Sequence, residues 1–253
     1  MKVLLNNFEK FIKKKFLYNK EKLSLLYLFF NKLKSKFSGI NTSYSQGAMD
    51  LILQDIFKKK EKGLYIDVGC QHPISNNNTY KLFKKGWHGI NIDLDKYNID
   101  IFNYNRPNDY NICDALTDKI EDRDLFFYHE KSPINTLNLN VSKKQVSQIS
   151  HIKKIKTNTL ENIFTSSPFC NENIDLLTID VEGEELSVLK GFNLDLHKPY
   201  IIILEFLDLR AKKFELIYNN LDAVLNSEIY IYLISKKYKL INWVNGDLVF
   251  IKI

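Results

Sequence analysis

Short apolar runs alternate with amphipathic segments along the chain from about residue 60 onwards. The runs are rich in β-branched and aromatic residues, and several end in Asp or Gly, which predicts buried strands that stop at turns. Apolar residues at helical spacing predict helices between these strands. This alternation is typical of βαβ units, in which helices cover both faces of a parallel sheet. The predicted strands are 64–69, 89–93, 109–114, 174–180 and 199–206.

Two further apolar runs, 238–243 and 248–251, flank Asn245-Gly246 near the C-terminus. Asn-Gly between two apolar runs is a strong signal for a β-hairpin. We therefore predict a Rossmann-like, doubly wound α/β sheet that is mostly parallel and is closed by a C-terminal antiparallel hairpin. The polar stretch 130–150 is predicted as a loop or lid.

The N-terminal segment has a different pattern. Apolar residues recur at helical spacing in residues 1–40, which hold ten lysines and two glutamates, a net +8; the whole chain is +6, so the rest is −2. We predict a basic helical arm over 1–42 and a catalytic domain over 43–253. The arm either packs on the body or on another subunit as a homo-oligomer contact, or it lies on an anionic membrane surface. The body lacks the basic cluster that nucleic-acid binding requires.

Cysteine content and hydropathy suggest a compartment. Cys70, Cys113 and Cys170 form no CxxC motif, and their odd number argues against a disulfide framework, so a reducing cytoplasm is expected. The longest early apolar run, 23–30, is too short to span a bilayer, and no small-residue cleavage site follows it. We expect no stable membrane insertion, and at most peripheral binding at the inner membrane face.

Acids end the first two predicted strands. Asp67 precedes Gly69, which allows the backbone to approach a ligand, and the Asp67 carboxylate can accept hydrogen bonds from an amino group. Asp93 follows 26 positions later, where an acid can bind ribose hydroxyls or cap the next helix. Asp114 can meet an adenine amino group or serve as a turn residue. No GxGxxG follows the first strand, which favours S-adenosylmethionine over a dinucleotide.

A second acidic turn follows the predicted central strand. Asp180-Val181-Glu182-Gly183 ends the run 174–180, and Glu184 and Glu185 continue into a helix whose dipole favours acids in its first turn. Asp180 and Glu182 are the candidate general bases for deprotonating a hydroxyl. His72 is the alternative base, because an imidazole exchanges protons near neutral pH, or it is a hydrogen-bonded loop residue.

The run IDLLTIDVEGEELSVLKGF, residues 174–192, resembles the signature of the FkbM methyltransferase family. Several other segments match the family in the same order, and the order is more specific than any single motif. The resemblance covers about residues 43–253. Its further segments are Ser45-Gln46-Gly47 with Asp50, YIDVGCQHPISNNNTYKLFKKGWHGINID, Arg106-Pro107 with Asp109, Asn135-Thr136, TNTLENIF, and PYIIILEF ending in Glu205.

The resemblance implies a class I methyltransferase fold with S-adenosylmethionine as cofactor. Cys70 stands where a small residue is usual, and we expect its thiol to serve packing. A divalent metal held by Asp180, Glu182 and Glu205 is allowed but not required, since hard cations favour carboxylate oxygens. The expected catalytic residues are Asp180, Glu182 and His72, and the expected cofactor contacts are Gln46, Asp67, Gly69, Cys70, Asn78, Thr79, Asp93, Asp114, Ala115 and Asp180.

The resemblance predicts the type of reaction better than the acceptor, because the family is broad in its acceptors. Many relatives serve surface polysaccharides, so the first expectation is O-methylation of a sugar or sugar nucleotide, a heptose among them, in bacterial capsule or lipooligosaccharide synthesis. N-methylation of an amino sugar or another small amine is a second interpretation. A non-catalytic scaffold that retains the fold is a third.

Overall fold

The computed structural model describes residues 29, 32, 41–128, 135–139, 149–206, 221–244 and 246–253. The helices predicted over residues 1–40, apart from residues 29 and 32, and most of the polar stretch 130–150 lie outside this part of the chain. Residues Ser43–Ile253 form one compact unit. Within the described residues, no helix combines the length and the apolarity needed to cross a bilayer.

Nine strands are described. Seven of them form one sheet in the order β3-β2-β1-β6-β7-β9-β8, and β4 and β5 form a separate antiparallel pair. The strands are β1 (Leu64–Val68), β2 (His88–Asp93), β3 (Tyr110–Cys113), β4 (Asp122–Phe127), β5 (His151–Lys156), β6 (Ile174–Ile179), β7 (Ile201–Glu205), β8 (Tyr238–Val244) and β9 (Asp247–Lys252).

Helices lie between the strands. A 3₁₀ turn over Gln46–Ala48 precedes the first α-helix. The α-helices in the described residues are α1 (Met49–Ile56), α2 (Tyr80–Lys84), α3 (Lys96–Asn105), α4 (Leu160–Ser166), α5 (Glu185–Lys190), α6 (Leu194–His197), α7 (Leu221–Leu225) and α8 (Glu228–Ser235).

The main sheet has the predicted doubly wound architecture. β1 pairs in parallel with β2 and with β6, β2 with β3, and β6 with β7, whereas β9 is antiparallel to both β7 and β8. Chain order reverses at β1, so the carboxyl ends of β1 and β6 border the crevice where ligands bind in open α/β sheets. The predicted C-terminal hairpin is confirmed as β8 and β9.

Strand alternation divides the core into two layers. Ile66 on β1 points into the cluster that contains helices α4, α5, α7 and α8, while its neighbour Tyr65 points into the cluster with α1 and α2. The same alternation holds at Ile202 and Ile203 of β7. Successive side chains of a strand face opposite sides, so near-continuous apolar strands need a helical layer on each face.

The β4–β5 pair is the main element that the sequence pattern does not predict. Its register aligns Leu125 with Lys153 and Phe127 with His151. β5 has the sequence HIKKIK, in which all positions but Ile155 are exposed, so it lacks the apolar run of a buried strand. The backbone pairing with β4, 30 residues away, decides its conformation.

Candidate functional site

A cavity of about 800 Å³ opens at the carboxyl ends of the parallel strands. Its wall combines strand ends of the main sheet with the β4–β5 pair. Seven carboxylates and three lysines line it, so the wall is strongly acidic. Seven of the residues predicted for the site lie on this wall: Gln46, Gly69, Asp93, Asp114, Ala115, Asp180 and Glu182.

The end of β1 passes very close to the end of β6. Gly69 has φ 77°, and its N–H donates to the Ile92 carbonyl at 2.8 Å. A Cβ on Gly69 would lie 1.7 Å from the Asp180 carbonyl oxygen. Only glycine fits both this backbone conformation and this approach. The predicted close approach therefore joins Gly69 to the acidic turn at Asp180.

Asp67 lies beneath the cavity wall. Its carboxylate accepts hydrogen bonds from Asn77 Nδ2 and Thr79 Oγ1, both at 3.0 Å. The fully buried Arg106 in turn donates to Thr79 Oγ1 and Asn77 Oδ1, each at 2.8 Å. Burial raises the pKa of Asp67 to about 6, and the charge of Arg106 opposes that rise. Asp67 and Thr79 thus belong to a buried network that supports the loop after β1.

Asp93 lies on the wall at the end of β2. Its Oδ2 accepts from the Gln71 N–H at 2.8 Å, and its Oδ1 accepts from the Asp95 N–H at 2.8 Å and from Asn98 Nδ2 at 3.2 Å. Burial raises its pKa, and the two backbone donors oppose this. A carboxylate offers about four acceptor positions, so Oδ2 keeps one for a ligand hydroxyl. A second ligand hydroxyl would compete with Asn98.

Asp114 and Ala115 follow β3. Asp114 Oδ1 accepts from the Ala115 N–H at 2.9 Å, and Oδ2 accepts from Asn158 Nδ2 at 2.8 Å. Ala115 belongs to a small apolar cluster with Leu125 and Leu137, against which further apolar side chains pack. Asp114 therefore holds the loop after β3 in place beside an apolar wall, and its remaining acceptor capacity faces the cavity.

The acidic turn after β6 has an unusual backbone. Glu182 has φ 54° and Gly183 has φ 102°. The buried Glu185 carboxylate accepts from the N–H groups of Val181 at 3.1 Å and Gly183 at 3.0 Å, and Thr136 Oγ1 donates to the Glu182 carbonyl at 2.8 Å. A non-glycine residue in the left-handed region is strained unless its surroundings fix it, and such strain concentrates at functional sites.

Three carboxylates converge beside this turn. One oxygen from each of Asp180, Glu182 and Glu205 lies within 4.8 Å of the others. Asp180 is accessible to the water of the cavity, while the walls surround it closely. Desolvation raises the pKa of all three carboxyls, that of Glu182 to about 8, and the charge of Asp180 raises the pKa of Glu182 and Glu205 further. The three carboxyls therefore bind protons more tightly than ordinary carboxyls and titrate as a coupled unit.

Asp247 is a fourth acid near the cluster that sequence reasoning missed. It is the register partner of Glu205 across β7 and β9. Burial raises its pKa to about 7, and the charge of Asp180 adds to the effect. The Asn245-Gly246 hairpin signal could have found it, because that turn places Asp247 at the start of a strand that returns beside β7.

His72, Asn78 and Cys70 lie on the loop after β1 but not on the cavity wall. His72 Nδ1 accepts from the N–H groups of Ile74 at 3.1 Å and Ser75 at 3.0 Å, which is the geometry of a loop-stabilising residue. Asn78 Nδ2 lies 3.5 Å from Thr178 Oγ1. The roles assigned to these three residues remain predictions.

Cys70 is buried against α3. Its side chain packs in a cluster with Ile99 and Phe102. Burial raises the pKa of the thiol well above its usual value, and the charge of Asp93 adds to this. The thiol therefore lies in an apolar cluster, and its expected role in packing remains a prediction.

The cavity wall fits the groups that S-adenosylmethionine presents. The acids attract its sulfonium and ammonium charges, Asp93 Oδ2 retains an acceptor position for a ribose hydroxyl, and Ala115, Leu125 and Leu137 supply an apolar surface for the adenine ring. An apolar patch beside convergent charged groups suits a ligand that carries both an aromatic ring and cationic groups.

The carboxylate cluster also fits a divalent cation. Its three oxygens lie within reach of one ion, and hard cations prefer oxygen ligands. Glu205 Oε2 is buried and finds no hydrogen-bond donor among the described residues. The arrangement allows a metal, but the same three groups can share a proton without one.

Comparisons with known proteins identify the family of the chain. The family described as "Methyltransferase FkbM domain" matches residues 67–240. Among solved structures, a TehB-like SAM-dependent methyltransferase from Corynebacterium glutamicum is similar, with 16% identity, a TM-score of 0.39, and coverage of 92% of this chain and 100% of that chain. At this TM-score and identity, the match supports no functional conclusion. No curated protein is significantly similar to the chain.

Proposed function

Because the chain belongs to the FkbM methyltransferase family and is an S-adenosylmethionine-dependent methyltransferase, we propose that it methylates a hydroxyl group of a sugar or sugar nucleotide. A carbohydrate hydroxyl holds its proton at neutral pH, so transfer to oxygen benefits from a positioned base. The observation that carries the proposal is the convergence of Asp180, Glu182 and Glu205 on the cavity wall.

Asp180 is the group best placed to act as the base. It is the member of the cluster most accessible from the cavity, and it directly follows the central strand β6. Glu205 keeps its proton because burial and the neighbouring charges raise its pKa, and it donates a hydrogen bond to Asp180. This contact leaves Asp180 as the carboxylate of the pair that is free to accept a proton.

S-adenosylmethionine supplies an activated methyl group when bound, so the protein needs to orient the acceptor and receive its proton. The acceptor hydroxyl would transfer its proton to Asp180 as its oxygen bonds to the methyl carbon, whose bond to the sulfonium sulfur would break and leave S-adenosylhomocysteine. The strained Glu182-Gly183 turn holds the base beside the cavity. Positioning of this kind supplies a large part of the rate in group transfer.

An amine acceptor would meet a different environment at this wall. Seven carboxylates would stabilise an ammonium ion in its protonated form. A protonated amine has no lone pair with which to attack a methyl group. The acidic wall therefore favours a hydroxyl acceptor over the N-methylation alternative.

The proposed location is the cytoplasm, and the proposed context is surface-polysaccharide synthesis. The three cysteines are all free, which agrees with a reducing compartment. The role of residues 1–42, as a packing arm, an oligomer contact or a membrane-surface helix, remains a prediction.

Two measurements test the proposal. Calorimetric titration with S-adenosylhomocysteine should show binding to one site per chain, since a scaffold without cofactor chemistry would not bind it. Incubation with S-adenosylmethionine and a panel of sugars, sugar nucleotides and amino sugars should yield a methyl ether detectable by mass spectrometry. Methylation restricted to amines would refute the proposal.

A further inference from the structure

The β4–β5 pair presents one of its faces to the cavity. Residues opposite each other in an antiparallel pair share a face. On this face, Leu125 of β4 lies opposite Lys153 of β5, and Phe127 lies opposite His151. The residues of this face that line the cavity are Leu125, Phe127, Lys153 and Ile155. Lys154 and Lys156, with their partners Asp124 and Asp122, belong to the other face, although Lys156, at the end of the strand, still lines the cavity. The pair thus forms a wall that combines apolar, aromatic and cationic groups.

Two lysines that line the cavity form no ion pair among the described residues. Lys153 and Lys156 both line it, and among those residues neither has a carboxylate within 4.0 Å. Lys153 lies on the cavity face, opposite the apolar Leu125, so no acid faces it across the pair. Lys156, at the end of β5, has Asp122 opposite it but forms no ion pair with it in the part of the chain that the structure describes.

The other cations near the cavity are paired. Lys96 Nζ lies 2.7 Å from Asp100 Oδ1, and Arg123 lies 3.3 Å from Glu121 and 3.4 Å from Glu184. Paired cations contribute little to attracting an anion, because the partner carboxylate cancels most of the field. Among the described residues that line the cavity, Lys153 and Lys156 are thus the lysines without an ion pair.

An aromatic stack lies beside these lysines. The rings of Phe127 and His151 are 4.5 Å apart with an interplanar angle of 7°. Phe127 also lines the cavity, and His151 is exposed. A flat aromatic surface beside free cations is the combination that binds a nucleobase by stacking and a phosphate by charge.

We propose that the acceptor carries a diphosphate, as a nucleoside-diphosphate sugar does, and that Lys153 and Lys156 bind it beside the Phe127–His151 stack. The inference rests on the proposed function, because it assigns the acceptor half of the same cavity. The carboxylates on the opposite wall would repel an anion, so the diphosphate binds at the β4–β5 end of the cavity. Its sugar then extends towards Asp180.

This arrangement separates the two ligands by charge. The acidic wall attracts the cationic sulfonium and ammonium groups of the cofactor, and the lysines attract the anionic acceptor. The rival assignment is that the lysines bind the carboxylate of the cofactor's amino-acid part. The two assignments differ in which ligand loses affinity when the lysines are neutralised.

The test uses the full-length protein saturated with S-adenosylhomocysteine and titrated with UDP, GDP and inorganic pyrophosphate, with methyl glucoside as the uncharged probe. At least one nucleoside diphosphate should bind more tightly than methyl glucoside. The double variant Lys153→Gln/Lys156→Gln should weaken that binding at least tenfold, the scale of one lost charge-assisted hydrogen bond. The affinity for S-adenosylhomocysteine should stay within twofold.

Lys154→Gln is the matched control, because Lys154 lies on the same strand but does not line the cavity, and it should bind the diphosphate like the parent. Failure of all three phosphate probes to bind, with intact S-adenosylhomocysteine binding, would refute the diphosphate site and leave the methyltransferase proposal standing. A loss of S-adenosylhomocysteine affinity in the double variant would assign the lysines to the cofactor instead. A parent protein that binds no S-adenosylhomocysteine would overturn the proposed function itself.

Discussion

Asp67 and Asp180 lie at the ends of neighbouring parallel strands, but their surroundings are opposite. Asp67 is buried, accepts two side-chain hydrogen bonds and lies in the field of the fully buried Arg106. Asp180 lies among other carboxylates, and no cation forms an ion pair with it in the described residues. The buried carboxylate of Asp67, which supports a loop, therefore has a cation beside it. The carboxylate of Asp180, which is proposed to accept a proton, has none among the described residues.

The largest expected effect comes from removing the uncompensated base. Asp180→Asn keeps the shape of the side chain and abolishes its basicity, so turnover should fall about a hundred- to ten-thousand-fold. The affinity for S-adenosylhomocysteine, measured by calorimetry, should change far less. Asp124→Asn, on the outer face of the β4–β5 pair, is the control and should keep full activity.

Two outcomes would change this assignment. Near-full turnover in both Asp180→Asn and Glu182→Gln would place the base elsewhere, and His72→Ala would become the next variant to measure. Activity that disappears with a chelator and returns with Mg²⁺ would make the carboxylates metal ligands that lower the pKa of the acceptor hydroxyl.

At Asp67, removal of the neighbouring cation should lower the free energy of unfolding. Arg106→Met leaves the buried Asp67 network without its cation, and breaking a buried pair on one side costs about 3–5 kcal/mol. Urea unfolding measures the loss. Adding Asp67→Asn to this variant should recover part of it, because the uncompensated charge is then gone. A single variant as stable as the parent would show that Arg106 is not what stabilises Asp67.

Asp93 shares features with both Asp67 and Asp180. Its carboxylate accepts several hydrogen bonds within the protein, as that of Asp67 does, and it lines the cavity, as Asp180 does. Asp93→Ala should weaken S-adenosylhomocysteine binding by about 1–3 kcal/mol, the scale of hydrogen bonds to a charged group. Asp95 lies on the same wall and caps α3 by accepting a hydrogen bond from the Tyr97 N–H. Asp95→Ala therefore serves as the control for an affinity loss that is caused only by local unfolding of the helix. Unchanged affinity in a folded Asp93→Ala protein would remove it from the cofactor site.

The smallest effects should appear in pH dependence, with opposite signs for activity and stability. Turnover should fall as pH decreases through the raised pKa of the cluster, because the base becomes protonated. Stability should instead fall as pH rises from about 5 to about 8. In that range the unfolded carboxyls are already ionised, whereas the folded Glu182, with its pKa of about 8, must lose its proton at a cost.

Thermal denaturation between pH 5 and pH 8 measures this slope. Each kcal/mol lost corresponds to about 2–4 °C for a chain of this size. Glu205→Gln should flatten the slope, because Glu205 keeps its proton in the folded chain and loses it in the unfolded chain over this pH range. A slope that is equal in the parent and in Glu205→Gln would mean that the cluster does not determine the pH dependence.

Much of the architecture follows from local patterns in the sequence. The five predicted parallel strands agree with β1, β2, β3, β6 and β7 to within two residues, and the Asn-Gly signal gives the terminal hairpin. The strands are continuous apolar runs and the turns carry Gly or acids, so each signal is contained in a few neighbouring residues. The β4–β5 pair has no such signal, because β5 is mostly exposed lysine and isoleucine.

The residues of the candidate site also fall into two groups, those whose positions local patterns predict and those whose positions they do not. Asp93, Asp180 and Glu182 follow strands whose ends are predictable, so their arrival at one cavity wall follows from the topology. Asp247 and Lys153 come from segments distant in sequence, and their positions depend on pairings across the chain. No local pattern distinguishes them from surface charges.

By itself, the sequence determined the fold class, the family and the strand ends where acids collect, because apolar periodicity and short motifs are local properties. The tertiary structure decided which of those acids are compensated. Arg106 reaches Asp67 from 39 residues away, while Asp180 lies in the field of Asp93 and accepts a hydrogen bond from Glu205 of β7. The proton affinity of a carboxyl depends on its burial and on the charges around it, and both are fixed only when distant strands come together.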